Sequence, residues 1–210
     1  MTLRGDLAAI ADLVPAGARV LDIGCGDGAL LAALRHDKAV DGRGIELSGA
    51  NVAAAVARGL SVVQGDADAD LADYPTAAFD VAVLSDTLQA MRDPAAVLRD
   101  MVRIGRQAIV SLPNFGYWRV RLGLLARGRM PVTAALPAPW YATPNIHLCT
   151  IDDFRSLAIT LGLRIATTAY LRDGRRTEAL LPNLLADQAV FVLTRDPASA
   201  GGKAALSASH

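Results

Sequence analysis

The 210-residue sequence predicts an α/β fold: one doubly wound, mostly parallel sheet covered by helices on both faces. Three observations lead there. Short apolar runs alternate with helix-forming stretches from Leu7 to Leu112, the first run ends in a glycine-rich turn that opens a helix, and prolines and aromatics gather only after the fifth run. At this length, with 52% hydrophobic residues, one core is the default.

Taken in order, Leu7 to Leu13 has helical spacing, and Pro15-Ala16-Gly17 stops it. Arg19 to Ile23 reads as a buried strand, and Ala29 to Leu34 is strongly helix-forming. Gly44 to Leu47 is a second strand, Ala50 to Arg58 a helix, Leu60 to Gln64 a third strand and Phe79 to Leu84 a fourth. Pro94 to Ile104 is a helix with proline in its first turn, followed by a fifth strand over Gln107 to Leu112. The pattern then breaks. Residues 113–150 hold Pro113, Pro131, Pro137, Pro139, Pro144 and both tryptophans, too apolar for a solvated linker and too interrupted for one helix, which suits a lid over the sheet. Thr150 and Asp153 form a capping-box pattern for a helix from Ile151 to Leu161, with Gly162 as its stop. Leu163 to Leu171 and Gln188 to Thr194 read as a closing pair of strands. The expected organisation is therefore a single domain over 1–195 with a lid at 113–150, and an Ala-, Ser- and Gly-rich disordered tail over 196–210.

Acids and bases balance at 21 each, so net charge gives no reason to expect nucleic acid or an acidic membrane as partner. The distribution is uneven. Acids outnumber bases from Asp37 to Asp93, and arginines dominate from Arg99 to Arg176, which suits an anionic substrate or acidic partner surface as well as a plainly solvated one. Cys25 and Cys149 lie far apart and outside any metal-ligand spacing, so both are expected reduced. No apolar leader opens the chain, and no window approaches the roughly 18 apolar residues of a membrane span. A cytoplasmic location is expected.

The chemistry concentrates in Val20-Leu-Asp-Ile-Gly-Cys-Gly-Asp-Gly28. Its glycines permit positive φ and close approach of a ligand to backbone, and the following helix start offers free N–H groups. Gly24-x-Gly26-x-x-Ala29 also fits the weak dinucleotide template. Asp22, two residues ahead of the first glycine, disfavours an anionic pyrophosphate and suits the cationic amino and sulfonium groups of S-adenosylmethionine (SAM). Asp27 adds a second acid, so SAM or its product S-adenosylhomocysteine is expected rather than a nicotinamide cofactor. Glu46, at the end of the second strand, is placed to accept ribose hydroxyls or, alternatively, to cap the next helix. Asp66 can accept from an adenine amine while the adjacent Ala67 N–H meets a ring nitrogen. With Cys25 inside the turn, Leu47 beside the ribose acid and Ser85 at the end of the fourth strand, the expected cofactor set is Asp22, Gly24, Cys25, Gly26, Glu46, Leu47, Asp66, Ala67 and Ser85.

Two residues are candidate catalytic bases. Asp86 ends the fourth strand, where ligand sites of such sheets lie, although a capping or charge-balancing role fits equally. His147 carries the imidazole most often used for proton transfer near neutrality, although a lone histidine is more often structural. Tyr117, Trp118, Trp140 and Tyr141 suit either an acceptor pocket or the packing of the lid. No Asn/Asp-Pro-Pro-aromatic sequence follows the fourth strand, which argues against methylation of exocyclic base amines.

Together these residues resemble the MetW family of methionine-biosynthesis proteins, within the Rossmann-like class I methyltransferase superfamily. The glycine turn and ribose acid mark only the superfamily. More specific are Val63-Gln-Gly-Asp66, Leu84-Ser-Asp-Thr-Leu-Gln89, Pro113-Asn-Phe-Gly-Tyr-Trp118, Gly128-Arg-Met-Pro-Val-Thr133, Trp140-Tyr-Ala-Thr-Pro-Asn-Ile-His-Leu-Cys-Thr150 and Leu181-Pro-Asn-Leu184. The resemblance implies a MetX-type homoserine O-acyltransferase as partner, which this protein would activate or regulate. Asp86 departs from the glutamine expected there. That carboxylate keeps open a second reading, an autonomous SAM-dependent methyltransferase acting on a small acceptor; a nicotinamide-dependent reductase survives only through the weak glycine template.

Overall fold

A computed structural model describes residues 3–195. Its sheet is assembled from β1 (Arg19–Ile23), β2 (Asp41–Glu46), β3 (Ser61–Gln64), β4 (Phe79–Ser85), β5 (Gly105–Pro113), β6 (Leu163–Arg172), β7 (Arg175–Thr177) and β8 (Gln188–Arg195). In space they lie in the order β3-β2-β1-β4-β5-β8-β6-β7. The first five are mutually parallel, and β8 runs antiparallel to both β5 and β6. Parallel neighbours need a crossover, which here is supplied by the helices α2 (Ala29–Lys38), α3 (Gly49–Ala57), α4 (Ala67–Asp70) and α5 (Pro94–Ile104); α1 (Gly5–Leu13) precedes the sheet, and α6 (Trp118–Arg127), α7 (Ile151–Thr160) and α8 (Pro182–Leu185) follow β5.

Strand alternation sorts side chains into two cores. On one face Leu21, Ile23, Ala82 and Leu84 pack with Leu98 and Met101 of α5 and Phe154 of α7. On the other, Val20, Val81 and Val83 pack with Ile10 of α1 and Leu30, Leu31 and Leu34 of α2. Both faces of β1 and β4 are thus dry, and their side chains form an apolar run broken only by acids.

Helix starts follow the sequence. Asp93 accepts from the Ala96 N–H at 2.9 Å ahead of Pro94, and the expected capping box is present, with Thr150 Oγ1 accepting from the Asp153 N–H and Asp153 returning the bond to the Thr150 N–H. Helix α2 runs beyond the expected Leu34 to Lys38, for a reason that lies elsewhere in the chain. The Lys38 ammonium donates to the carbonyls of Ala11 (2.6 Å) and Val14 (2.7 Å), closing the C-terminus of α1. Ala39 then takes a left-handed conformation at φ 53° and releases the chain into β2. Residues 113–150, too interrupted for one helix, do contain a helix, α6, which buries only Val120 and ends at Gly128. The short strand β7 was not anticipated either. Residues 196–210, expected as a disordered tail, lie outside the described residues.

Where β5 meets the 113–150 segment, Asn114 holds three pieces of chain together. Its amide donates to the carbonyls of Ala186 (2.7 Å) and Asn183 (3.0 Å) and accepts from the N–H groups of Gly116 (2.9 Å) and Ile151 (3.3 Å), all in a buried setting. Truncation strands those backbone groups. We therefore expect Asn114→Ala to cost about 2–4 kcal/mol, read as a lower denaturation midpoint with an unchanged slope.

Candidate functional site

The strand order reverses between β1 and β4, so the carboxyl ends of those strands open onto a crevice where ligands of such sheets bind. The turn that follows β1 lines it. Gly24, Gly26 and Gly28 all have positive φ (68°, 57° and 77°), but they serve different ends. A Cβ on Gly28 would lie 2.3 Å from Leu60 Cδ1, and one on Gly24 would lie 3.1 Å from Thr87, so both are needed for close packing. A Cβ on Gly26 would meet nothing within 4 Å. That glycine faces open space, and its conformation leaves room for a ligand rather than for a neighbour.

Glu46 fixes the turn. One carboxylate oxygen accepts from the Gly26 N–H at 2.9 Å, and the other accepts from the Ser48 N–H at 2.9 Å and the Asn51 amide at 3.4 Å. Of the two alternatives for this residue, the contacts at the start of α3 are present, and the strand-end position beside the glycines is the one the ribose expectation requires. Cys25 turns its sulfur inward, over Gly44, where a Cβ would come within 2.5 Å of it. Burial pushes that thiol up to about 12, so its side chain is packing and not a nucleophile. Leu47 is 67% exposed at the rim.

Asp22 is 2% exposed, and no side chain or backbone N–H among the described residues donates to it. Desolvation, with the nearby Glu46 charge as a second cause, raises its carboxyl to about 7. A buried acid without a partner is costly unless a cation arrives. Asp66, by contrast, is already engaged. It caps α4 by accepting from the Asp68 N–H at 3.0 Å, lies 3.7 Å from the Arg92 guanidinium, and places Ala67 as the first residue of that helix.

Beyond β4 lies a second polar group. Arg4, just ahead of α1, makes a two-pronged contact with the buried Asp6 (2.5 and 2.7 Å) and lies 3.2 Å from Asp86. Ser85 donates to Asp6 at 2.9 Å. Asp86, a non-glycine residue at φ 47°, accepts through its carboxylate from Gln188 of β8 (3.1 Å) and Ser111 of β5 (3.4 Å). Burial and the Asp6 charge raise its carboxyl to about 6, with Arg4 pulling the other way. Arg4 and Asp86 form the polar end of a cavity of about 390 Å³ under the 113–150 segment, walled by Phe115, Met130, Leu136, Trp140, Ile146 and Leu148.

His147 is not part of that cavity. It is exposed, donates its backbone N–H to Gln89 O at 3.0 Å, and lines a separate recess of about 150 Å³ with Leu88, Cys149 and Phe154. The two candidate bases are therefore in different cavities. Tyr117 is buried beside Trp118, and Trp140 with Tyr141 stands largely exposed, only Trp140 of these four facing the larger cavity. Arg4, Asp6, Ser111 and Gln188 were not singled out from the sequence. Nothing in local spacing marks them, because they come together only when α1, β4, β5 and β8 pack.

The family model for methionine biosynthesis protein MetW matches residues 4–193. A curated relative, the bifunctional methionine biosynthesis protein MetXA/MetW of Rhodopirellula baltica, is 36% identical over 208 residues, which is 93% of this chain; the chain spans about one third (33%) of that relative. Among solved structures, a SAM-dependent methyltransferase from Mesorhizobium loti superimposes with a TM-score of 0.68 at 20% identity, covering 91% of this chain and 98% of that one. One from Thermotoga maritima, described as a possible histamine N-methyltransferase, gives 0.65 at 18% identity over 91% and 88%. The fold is accordingly that of the class I methyltransferases. Among the described residues, no helix is long and apolar enough to cross a membrane.

The state of Asp22 makes a prediction for the ligand-free protein. A carboxyl raised to about 7 in the fold from an ordinary 3.8 contributes stability that is lost as pH climbs between those values. Asp22→Asn should match the parent near the lower end and be the more stable of the two above about pH 7. Thermal melts of both proteins across that range provide the check.

Proposed function

The chain belongs to the MetW family of methionine biosynthesis proteins, and on that premise we propose that it is a SAM-binding subunit that supports a MetX-type homoserine O-acyltransferase. One observation carries the reading: a single relative bears the names of both proteins, and nearly all of this chain matches a third of its length. Fusion holds two modules at high effective concentration, a gain only where the two work together.

The residues at the glycine turn suit SAM or S-adenosylhomocysteine. Open space at Gly26 accommodates a ligand against backbone, the unpaired Asp22 offers a site for a cationic group, and Glu46, anchored by the turn it faces, retains lone pairs for a ribose. Asp66 and Ala67 would meet the adenine, and Ser85 the far rim. SAM would supply a cationic sulfonium and a transferable methyl group. As a regulatory ligand it would shift the acyltransferase complex only by binding one of its states better than another, and the acyltransferase would alter SAM affinity by the same factor. The 113–150 segment acts in this reading as a lid within one domain.

A second reading, an autonomous methyltransferase, is favoured by the cavity beside Ser85 and Asp86. There Asp86, with a carboxyl near 6, would accept a proton from an acceptor held under the lid.

Homoserine acylation should rise clearly when this protein is added to the acyltransferase, and should respond to SAM; an unchanged rate and no co-purifying complex would reject the subunit reading. SAM affinity, measured by calorimetry, should increase with pH through about 7 as Asp22 loses its proton, and Asp22→Asn should flatten that dependence. An equal slope in the variant would remove Asp22 from the site.

A further inference from the structure

The cavity under the 113–150 segment has a character that neither packing nor the glycine turn explains. Its walls are mainly apolar, with Phe115, Met130, Leu136 and Trp140 among them, and include the polar but uncharged Thr143 and Asn145. Its polar end carries one positive and one negative side chain, Arg4 and Asp86, 3.2 Å apart. At about 390 Å³ it lies within the size range of small-molecule sites.

The two charges are held from different elements, with the hydroxyls of Ser85 and Ser111 between them. Asp6, whose side chain is wholly buried, grips Arg4 through Nε and Nη2, while no hydrogen bond among the described residues engages Nη1. Asp86 is held by Gln188 and Ser111 from the neighbouring strands. The contact between them is half-open, with the Arg4 side chain 59% and the Asp86 side chain 22% exposed, so solvent on the arginine side weakens it. Parting it therefore costs little. Two carboxylates, Asp6 and Asp86, share the one guanidinium, so Arg4 only partly matches the Asp86 charge. A left-handed backbone at Asp86 aims the carboxylate into this place at a conformational cost, as functional sites commonly do.

We propose that this cavity binds a zwitterionic α-amino acid with an uncharged side chain, its ammonium on Asp86, its carboxylate on the free end of Arg4 and its side chain against the apolar wall. An α-amino acid presents both charges on one carbon, which matches a pair of opposite charges side by side. It brings an ammonium to Asp86 and a carboxylate to Arg4, exchanging one half-buried ion pair for two charge-assisted contacts. A monoamine or a monoacid satisfies only half of the arrangement and leaves the other group desolvated. Charged side chains have no partner on the wall. The inference holds whether the occupant is a methyl acceptor or an effector, and it does not rest on a partner enzyme.

The test uses the full chain, with binding read by calorimetry and by the fluorescence of Trp140. L-methionine and L-norleucine should bind, and L-glutamate and L-lysine should bind at least about tenfold more weakly. Hexanoate, which lacks the amine of norleucine, and pentylamine, which lacks its carboxylate, should each lose at least about tenfold as well. Saturating S-adenosylhomocysteine should not displace the amino acid. Arg4→Met and Asp86→Asn should abolish binding while their melting curves show a folded protein; the analogue series on the unmodified chain stands even if neither variant folds. Absence of binding at millimolar amino acid, equal binding of the two truncated analogues, displacement by S-adenosylhomocysteine, or full binding by folded variants would each overturn the proposal.

Discussion

The Glu46 carboxylate is the contact on which the site's geometry depends. By accepting from Gly26 with one oxygen and from Ser48 and Asn51 with the other, it ties the glycine turn after β1 to the end of β2 and the start of α3. These three elements are thereby fixed at their ligand-facing ends. The register supports the same arrangement, since Gly24 and Cys25 donate their N–H groups to the Ile45 carbonyl and extend the β1–β2 pairing into the turn itself. Absence of a side chain at Gly44 lets Cys25 tuck beneath the turn, and absence of one at Gly28 lets α2 close against Leu60. Only Gly26 is spared such packing. The turn is rigid where it meets protein and empty at one point, which is the form a preorganised ligand site takes.

Most of the sheet was legible in the sequence because buried parallel strands are short, apolar and closed by glycine or acid, as in Arg19–Ile23 and Phe79–Ser85. The glycine turn and Glu46 were legible for a related reason. Their chemistry is local, set within one strand-turn-helix unit and one fixed spacing. Helix α6 was not, because Pro113 and Pro131 on either side dominate the pattern and because a helix that buries only Val120 shows no apolar stripe. The true end of α2 was hidden for a different reason: it is fixed by Lys38 reaching the carbonyls of α1, a contact between residues more than twenty positions apart. Strand β7 is three residues long and paired only with β6, too short to carry a period.

The polar group around Asp86 shows the same limit more sharply. Reading the end of β4 identifies Ser85 and Asp86, since strand ends in such sheets face ligand. It says nothing of Arg4 and Asp6, which precede or open the first helix, or of Gln188 on a strand a hundred residues later. Those residues acquire meaning only through β8 running antiparallel beside β5, which places Gln188 level with Pro113 and brings its amide to Asp86. Likewise the sequence offers both His147 and Asp86 as candidate bases, but the fold puts them in separate cavities.

Asp22 and Asp86 lie on neighbouring strands at the same end of the sheet, and their carboxyls are displaced in the same direction, to about 7 and about 6, by burial and by a second nearby acid. In a chain whose net charge is zero, this is not an excess of acid overall but a local concentration of it at the ligand-facing edge. Each acid raises the free energy of the empty fold at neutral pH, and neither is needed by the core, which would pack an amide as well. A cost of that kind persists where something outside the chain offsets it. The two acids are separated by the width of β1 against β4, and their surroundings differ: Asp22 faces bare backbone at the glycine turn, whereas Asp86 faces an arginine and an apolar wall. On the two proposals above, the different surroundings suit different cations, one beside the glycine turn and one beneath the 113–150 segment. A protein arranged in this way gains stability from either ligand separately and couples them only through the short stretch of β1 and β4 that lies between.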